Sequence, residues 1–80
     1  MKERKIRLHS VEDAKAFVSV TTGCDFDVDL FDNSVMIDAK SILGVLSMDL
    51  RHVLVVKYDG DNRYLEAFLN DHDANVAKIA

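Results

Sequence analysis

The sequence has 80 residues, no proline and a single cysteine, Cys24. It also lacks a linker composition, a low-complexity tract and an internal repeat, so its segments follow one another with the short connections of a compact domain. One cysteine cannot form an internal disulfide, and a chain without disulfides fits a reducing cytoplasm. The sequence therefore predicts one domain over residues 1–80, located in the cytoplasm.

Long apolar runs and an excess of positive charge are also missing. No run approaches the ~20 apolar residues that span a bilayer. The charged first residues, MKERKIR, have no apolar stretch behind them, so we expect no secretory signal. A formal net charge of −4 argues against nucleic acid as a partner, because phosphate contacts need clustered Lys and Arg. We expect neither a membrane nor a nucleic-acid partner.

Strands and helices alternate along the chain. Predicted strands cover residues 2–8, 25–31, 35–38 and 52–58, and predicted helices follow Ser10, cover residues 42–48 and begin at about Asn62. The inward positions predicted for the first and last helices are Val11, Ala14, Phe17, Val18, Thr21, Leu65, Phe68 and Leu69. Gly23 is predicted to end the first helix in a left-handed conformation, and residues 73–80 either extend the last helix or fray.

The predicted elements follow the order β-α-β-β-α-β-α. Each predicted helix has one apolar stripe, and each predicted strand has one apolar face. This pattern predicts an α/β (α+β) two-layer open-faced sandwich, with the helices on one face of a mainly antiparallel sheet. The β-branched segment 52–58 suits the interior of the sheet, and the charged segment 2–8 suits its edge.

No metal site or cofactor is expected. Asp25, Asp27 and Asp29 alternate on one face of a predicted strand, about 7 Å apart, which is too far for three carboxylates to share one small ion. Cys24 is predicted to pack rather than react. His52 and His72 lack partners at ligand spacing and are interpreted as surface or boundary residues.

The segment Lys40–Ser47, with the sequence KSILGVLS, resembles the Lys-Ser-Ile-Met-Gly-Val-Met-Ser segment of the HPr family. These proteins are the small histidine phosphocarriers of the sugar phosphotransferase system. The hairpin Phe26–Asp38 has the family's spacing, and Gly60 fits the turn before its last helix. The resemblance covers nearly the whole chain, and it implies a four-stranded sheet in the order 1-4-2-3 under three helices.

The resemblance also implies a site at the first helix, where the family's histidine sits in a Gly-Ile-His-Ala-Arg-Pro-like loop. Alignment from the matched segment puts Ser10 in place of that histidine, Glu12 in place of the arginine and Asp13 in place of the proline. His9 stands one position early and is a weak candidate phosphoryl acceptor. Ser10 is predicted to cap the helix.

Two carboxylates in the first helical turn disfavour a phosphoryl group at this helix start. A helix N-terminus offers free N–H donors to an anion, but Glu12 and Asp13 are predicted to satisfy these donors internally. Each repulsion of an incoming charge at ~5 Å costs on the order of 3 kcal/mol at an effective dielectric constant near 20. The sequence therefore predicts a closed anion site.

The second helix has a different implied role. Ser41 matches the serine that a dedicated kinase phosphorylates in HPr proteins of some bacteria, and Ile42, Leu43 and Leu46 match the patch on which the family's partner proteins dock. The alternative for Ser41 is a helix cap and nothing more. The implied partners are other proteins, either enzymes of the phosphotransferase system or a transcriptional regulator.

Three functions remain open at this point. The first is an HPr-like bacterial protein that binds other proteins in a regulatory role and has lost histidine phosphorylation. The second is an active phosphocarrier that uses His9. The third is an assembly module that forms an isologous dimer through an edge strand. Independent catalysis is not expected, because no nucleophile, base and oxyanion donor converge in the sequence.

Overall fold

The computed structural model describes residues 1–75 and contains four strands and three helices. The strands are β1 (Lys2–Ile6), β2 (Val28–Asp32), β3 (Val35–Asp38) and β4 (Leu54–Tyr58), and the helices are α1 (Val11–Thr22), α2 (Ile42–Leu46) and α3 (Arg63–Asp71). All strand pairs are antiparallel, and the strand order is β1-β4-β2-β3. The structure confirms the predicted open-faced sandwich and its topology. None of the helices within residues 1–75 is long and apolar enough to cross a membrane.

Alternation along the strands separates a buried face of the sheet from an open one. The core-facing side chains of the strands are fully or almost fully buried; they are Ile6, Val28, Leu30, Leu54, Val56 and Tyr58. The helices cover this face, and the rings of Phe17 on α1 and Phe68 on α3 lie 5.5 Å apart between their centroids. Burial of these apolar side chains supplies most of the stabilisation of so small a domain.

β2 is shorter than the sequence predicts, and Asp25 and Asp27 do not belong to a strand. β2 begins with Val28, which pairs with Tyr58. Tyr58 is the last residue of β4, so the residues before Val28 have no partner on that strand. Phe26 packs against the Tyr58 ring instead, with 6.1 Å between centroids.

Gly60 makes this packing of Phe26 possible. A Cβ atom at Gly60 would lie 2.3 Å from Cδ1 of Phe26. This distance is too short for two carbon atoms that are not bonded, so a side chain at position 60 would clash with the Phe26 ring. A glycine is therefore required at position 60, because the Phe26 ring lies close to the backbone there. This is the turn before the last helix, to which the resemblance assigned Gly60.

The ends of β1 and β4 also differ from the predicted bounds. β1 ends at Ile6 because the Arg7 N–H donates to the His72 carbonyl at 2.9 Å instead of to β4. Ile6 pairs with Leu54, the last pair of the two strands, so β4 begins there and not at residue 52. Leu8 is nevertheless fully buried.

Three predictions for the helices are wrong. Gly23 has φ −76°, a right-handed conformation, because its N–H donates to carbonyls of the last turn of α1. Val11 is 50% exposed and does not face the core. α2 ends at Leu46, not at residue 48.

Residues 72–75, which follow α3, do not continue the helix. α3 ends at Asp71, Asp73 forms a bridge with Ile6, and the Ala74 N–H donates to the Lys5 carbonyl at 2.9 Å. The prediction for residues 76–80 lies outside the described residues.

Candidate functional site

The start of α1 is capped by Ser10. The backbone of Ser10 is extended, and its Oγ accepts a hydrogen bond from the Asp13 N–H at 3.1 Å. The Ser10 carbonyl accepts the Ala14 N–H, also at 3.1 Å. The predicted cap is confirmed, since the hydroxyl satisfies a donor that has no partner within the helix.

The Asp13 carboxylate occupies the same helix start. One oxygen, Oδ2, accepts the His9 backbone N–H at 2.9 Å, and the other, Oδ1, lies 3.5 Å from Nε2 of His72. His72 is fixed at the end of α3, where its Nδ1 donates to the Phe68 carbonyl at 2.9 Å and its ring stacks on the Phe68 ring. Asp13 therefore places a negative charge beside the start of α1 and links this helix start to the end of α3.

Glu12 contributes less to this site than the sequence suggests. Its side chain is 83% exposed, and its Oε1 lies 3.9 Å from Nζ of Lys15 on the next turn. Of the two predicted carboxylates, Asp13 alone accepts a backbone hydrogen bond at the helix start.

His9 is exposed, and within residues 1–75 its imidazole has no hydrogen-bond partner. Two arginines have partners elsewhere. Arg7 donates from Nη2 to the Arg51 carbonyl at 3.0 Å. Arg51 forms two side-chain hydrogen bonds to Asp49, at 3.0 and 2.9 Å. Neither guanidinium bonds to His9.

α2 presents a serine cap and an exposed apolar surface. The Ser41 Oγ accepts the Gly44 N–H at 3.1 Å, so Ser41 caps α2 with the same kind of hydrogen bond that Ser10 makes at α1. Val45 is the buried residue of this helix. The partner-binding residues implied by the resemblance are all exposed: Ile42 at 36%, Leu43 at 81% and Leu46 at 37%. We call these three residues the α2 patch.

The two candidate phosphorylation sites lie at different ends of α1. The Thr21 hydroxyl, in the last turn of α1, donates at 2.7 Å to the carbonyl of Ala39, two residues before Ser41. His9 precedes the first turn of the same helix, and twelve helical residues span about 18 Å. The structure does not bring His9 and Ser41 together.

A histidine contact that the sequence did not reveal follows α2. His52 lies between two carboxylates, with Nδ1 2.9 Å from Oδ2 of Asp32 and Nε2 3.4 Å from Oδ2 of Asp49. The hydrogen bond to Asp32 and the charges of the two carboxylates raise the pKa of His52. Hydrogen bonds from Arg51 hold the pKa of Asp49 well below its usual range. The only sequence signal was the three-residue spacing of Asp49 and His52.

The described residues meet the requirements of neither a metal site nor a reactive thiol. Within residues 1–75, no three His, Cys, Asp or Glu side chains are grouped so that they could hold a metal ion. Cys24 is buried, and burial raises the pKa of its thiol, which disfavours the reactive thiolate.

Comparison with solved structures identifies the fold. The crystal structure of HPr from Thermoanaerobacter tengcongensis matches with a TM-score of 0.68 and 22% identity, over 89% of this chain and 93% of that chain. The phosphocarrier protein HPr from Bacillus anthracis matches with a TM-score of 0.69 and 18% identity, over 90% of this chain and 96% of that chain. The chain has the HPr fold. At these identities the likeness establishes the fold alone. No protein-family model and no curated protein matches the sequence.

Proposed function

We propose that this chain is an HPr-like regulatory protein of the phosphotransferase-system type, which binds other proteins through the α2 patch and does not carry phosphate on histidine. The proposal places it in the bacterial cytoplasm, with enzymes of that system or a transcriptional regulator as its partners. It requires no cofactor and no catalysis by the chain itself.

The loss of phosphate transfer rests on Asp13. Its carboxylate already accepts the backbone N–H of His9, so a phosphoryl group at this helix start would compete with a fixed charge of the same sign. The repulsion is on the order of 3 kcal/mol per charge pair at ~5 Å. Within residues 1–75 no guanidinium bonds to His9 to offset this repulsion, since Arg7 donates to the Arg51 carbonyl and Arg51 donates to Asp49.

The role in protein binding rests on the α2 patch. A leucine that is 81% exposed contributes little to the fold, and two further exposed apolar side chains, Ile42 and Leu46, lie on the same short helix as Leu43. Ser41 borders this patch, is exposed, and has no carboxylate in the first turn of its helix. We propose Ser41 as a regulatory phosphorylation site, because a phosphate there would change the charge beside the docking surface.

A second candidate function, phosphate transfer by His9, is favoured by one observation. The His9 imidazole is exposed, and its nitrogens have no hydrogen-bond partner within residues 1–75. A phosphorylating enzyme could therefore reach it, at the cost of the repulsion from Asp13.

Phosphorylation assays separate these two functions. The protein is incubated with phosphoenolpyruvate and the first enzyme of the phosphotransferase system, and separately with the HPr serine kinase, and intact mass is measured. We expect no phosphate from the first reaction and one phosphate from the second, absent in Ser41→Ala. Acid-labile phosphate in the first reaction, absent in His9→Ala, would overturn the proposal in favour of the carrier.

The docking surface is tested by a matched pair of variants. Leu43→Glu should weaken binding to a regulator or enzyme of the phosphotransferase system by roughly tenfold or more, because it places a charge in an apolar contact. The control is Tyr64→Glu, a change at a 64% exposed side chain on α3. Equal binding by both variants, measured by calorimetry, would exclude the α2 patch.

A further inference from the structure

The two edges of the sheet are protected to different degrees. Along β1, the segment after α3 covers part of the edge, because Ala74 donates to the Lys5 carbonyl and His72 accepts from the Arg7 N–H. The remaining edge residues of β1 are charged, from Lys2 to Arg4. β3 has no such cover within the described residues, and its Val35 and Met36 are 56% and 57% exposed. Charge and covering are the usual means by which an edge avoids pairing.

The backbone groups of β3 that face outward follow from its pairing with β2. The Ala39 N–H donates to the Val28 carbonyl at 2.9 Å, so these two residues occupy a hydrogen-bonded position of the ladder. Hydrogen-bonded and non-hydrogen-bonded pairs alternate in an antiparallel ladder. In the observed register, Ile37 opposite Leu30 is again hydrogen-bonded, and Met36 opposite Phe31 is not. The N–H and C=O of Met36 and the N–H of Asp38 therefore point away from the sheet, whereas the Asp38 C=O accepts the Ser41 N–H at 3.0 Å.

We propose that β3 pairs antiparallel with β3 of a second copy of this chain, with Met36 on the two-fold axis. Antiparallel neighbours point to the same face of a sheet, so Met36 must pair with a residue on its own face. Pairing Met36 with Met36 of the second copy satisfies this condition. It also matches the outward N–H and C=O of both residues, so that each donates to the other. The result is a continuous eight-stranded sheet.

The side chains fit this register. Val35 comes to lie opposite Ile37 of the second copy on the helix-covered face. On the open face, the two Met36 side chains meet beside Phe31 of each copy, since Phe31 is the β2 partner of Met36. The exposed apolar surface of β3 is thereby covered by apolar surface, which is the favourable outcome for both faces.

The charges of β3 do not oppose the pairing. Asp38 is its only charged residue, and in this register it lies opposite Ser34 of the second copy. The two Asp38 residues are separated by four positions along the strand, about 14 Å. This distance exceeds the screening length of about 8 Å at physiological ionic strength. A second copy that paired with β1 would instead face three charged residues, Lys2, Glu3 and Arg4, which disfavour pairing at that edge.

The assembly is closed and small. A two-fold pairing uses both β3 edges, and the partly covered β1 edges end the sheet, so the pairing stops at a dimer. Because only one short strand of each copy takes part, the interface is below standard size, and we expect a dissociation constant of roughly 10 to 500 µM.

Sedimentation equilibrium of the full chain from about 10 µM to about 1 mM measures this association. The proposal predicts a monomer–dimer equilibrium in the wild type. In Met36→Lys, like charges on the axis should weaken it by roughly tenfold or more. Val53→Lys, at a 45% exposed site outside β3, is the control and should dimerise like the wild type. A wild type that stays monomeric at the highest concentration, or equal dimerisation of both variants, would overturn the proposal.

Backbone amide exchange of the wild type gives a test that does not depend on a variant folding. The Met36 and Asp38 amides should exchange rapidly at low concentration and at least several-fold more slowly near 1 mM. The Val35 and Ile37 amides, which face β2, should be protected at both concentrations. Exchange at Met36 and Asp38 that does not change with concentration would contradict pairing at this edge.

Discussion

The starts of α1 and α2 have the same cap and opposite electrostatics. In both helices an exposed serine accepts the third helical N–H at 3.1 Å, at Ser10 and at Ser41. The first turn of α1 contains Glu12 and Asp13, and that of α2 contains no acidic residue. Capping alone therefore does not decide what a helix start can accept. At α1 the Asp13 carboxylate places a negative charge beside the helix start, whereas at Ser41 no carboxylate of the helix opposes a new negative charge.

The largest stability effect is expected from Asp13→Ala. This change removes the carboxylate that accepts the His9 N–H and lies 3.5 Å from Nε2 of His72. We expect a loss of about 1 to 2 kcal/mol in the free energy of unfolding, measured by urea denaturation. A loss no larger than that of Glu12→Ala, the control in the same turn, would contradict the assignment of this role to Asp13.

Removal of the two caps should have a smaller effect. Ser10→Ala and Ser41→Ala each leave one N–H without its hydroxyl acceptor, at a cost of about 1 kcal/mol. Urea denaturation should show similar losses at the two positions, since the cap distances are equal. A negligible loss at either serine would mean that its hydroxyl is replaced by water.

The variants Ser10→Asp and Ser41→Asp each add a negative charge at a helix start while they keep a side chain that can cap the helix. Their stabilities therefore compare the electrostatics of the two helix starts. Aspartate caps a helix about as well as serine, but at Ser10 it adds a third carboxylate beside Glu12 and Asp13. We expect Ser10→Asp to be less stable than Ser41→Asp by roughly 0.5 kcal/mol. The difference should shrink at high salt, because the repulsion is screened. A salt-independent difference would point to geometry instead of charge.

Local features of both helix starts could be predicted from the sequence, whereas contacts between elements could not. Ser10 and Ser41 were identified as caps because a cap depends on residues within one turn. The contact of Asp13 with His72 joins residues of α1 and the end of α3, and the contact of His52 with Asp32 joins a loop to β2. Neither leaves a periodic signal in the sequence.

Strand ends were missed for a related reason. Residues 25–31 alternate perfectly, yet Asp25 and Asp27 have no partner strand, because β4 ends opposite Val28. The topology was accessible because the segment Lys40–Ser47 resembled a known family. The outward Val11 was missed because the apolar stripe of α1 extends one turn beyond the core.

The smallest expected effect is on the pH dependence of stability, through the contact of His52 with Asp32. The pKa of His52 is raised, chiefly by its hydrogen bond to Asp32. The protonated form is therefore favoured by folding. Its stabilisation is complete below the unfolded pKa of about 6.5 and is lost as pH rises through the higher folded pKa. The free energy of unfolding of His52→Gln should consequently fall less than that of the wild type between about pH 6 and pH 8. Equal pH profiles would show that this contact is absent in solution.

Titration of the ¹⁵N-labelled protein with inorganic phosphate tests most directly whether Asp13 closes the start of α1. The wild type should show no saturable chemical-shift change at the amides of residues 9–13, whereas Asp13→Ala should show one, because its helix start is freed for an anion. Saturable shifts of these amides in the wild type would contradict the closed site.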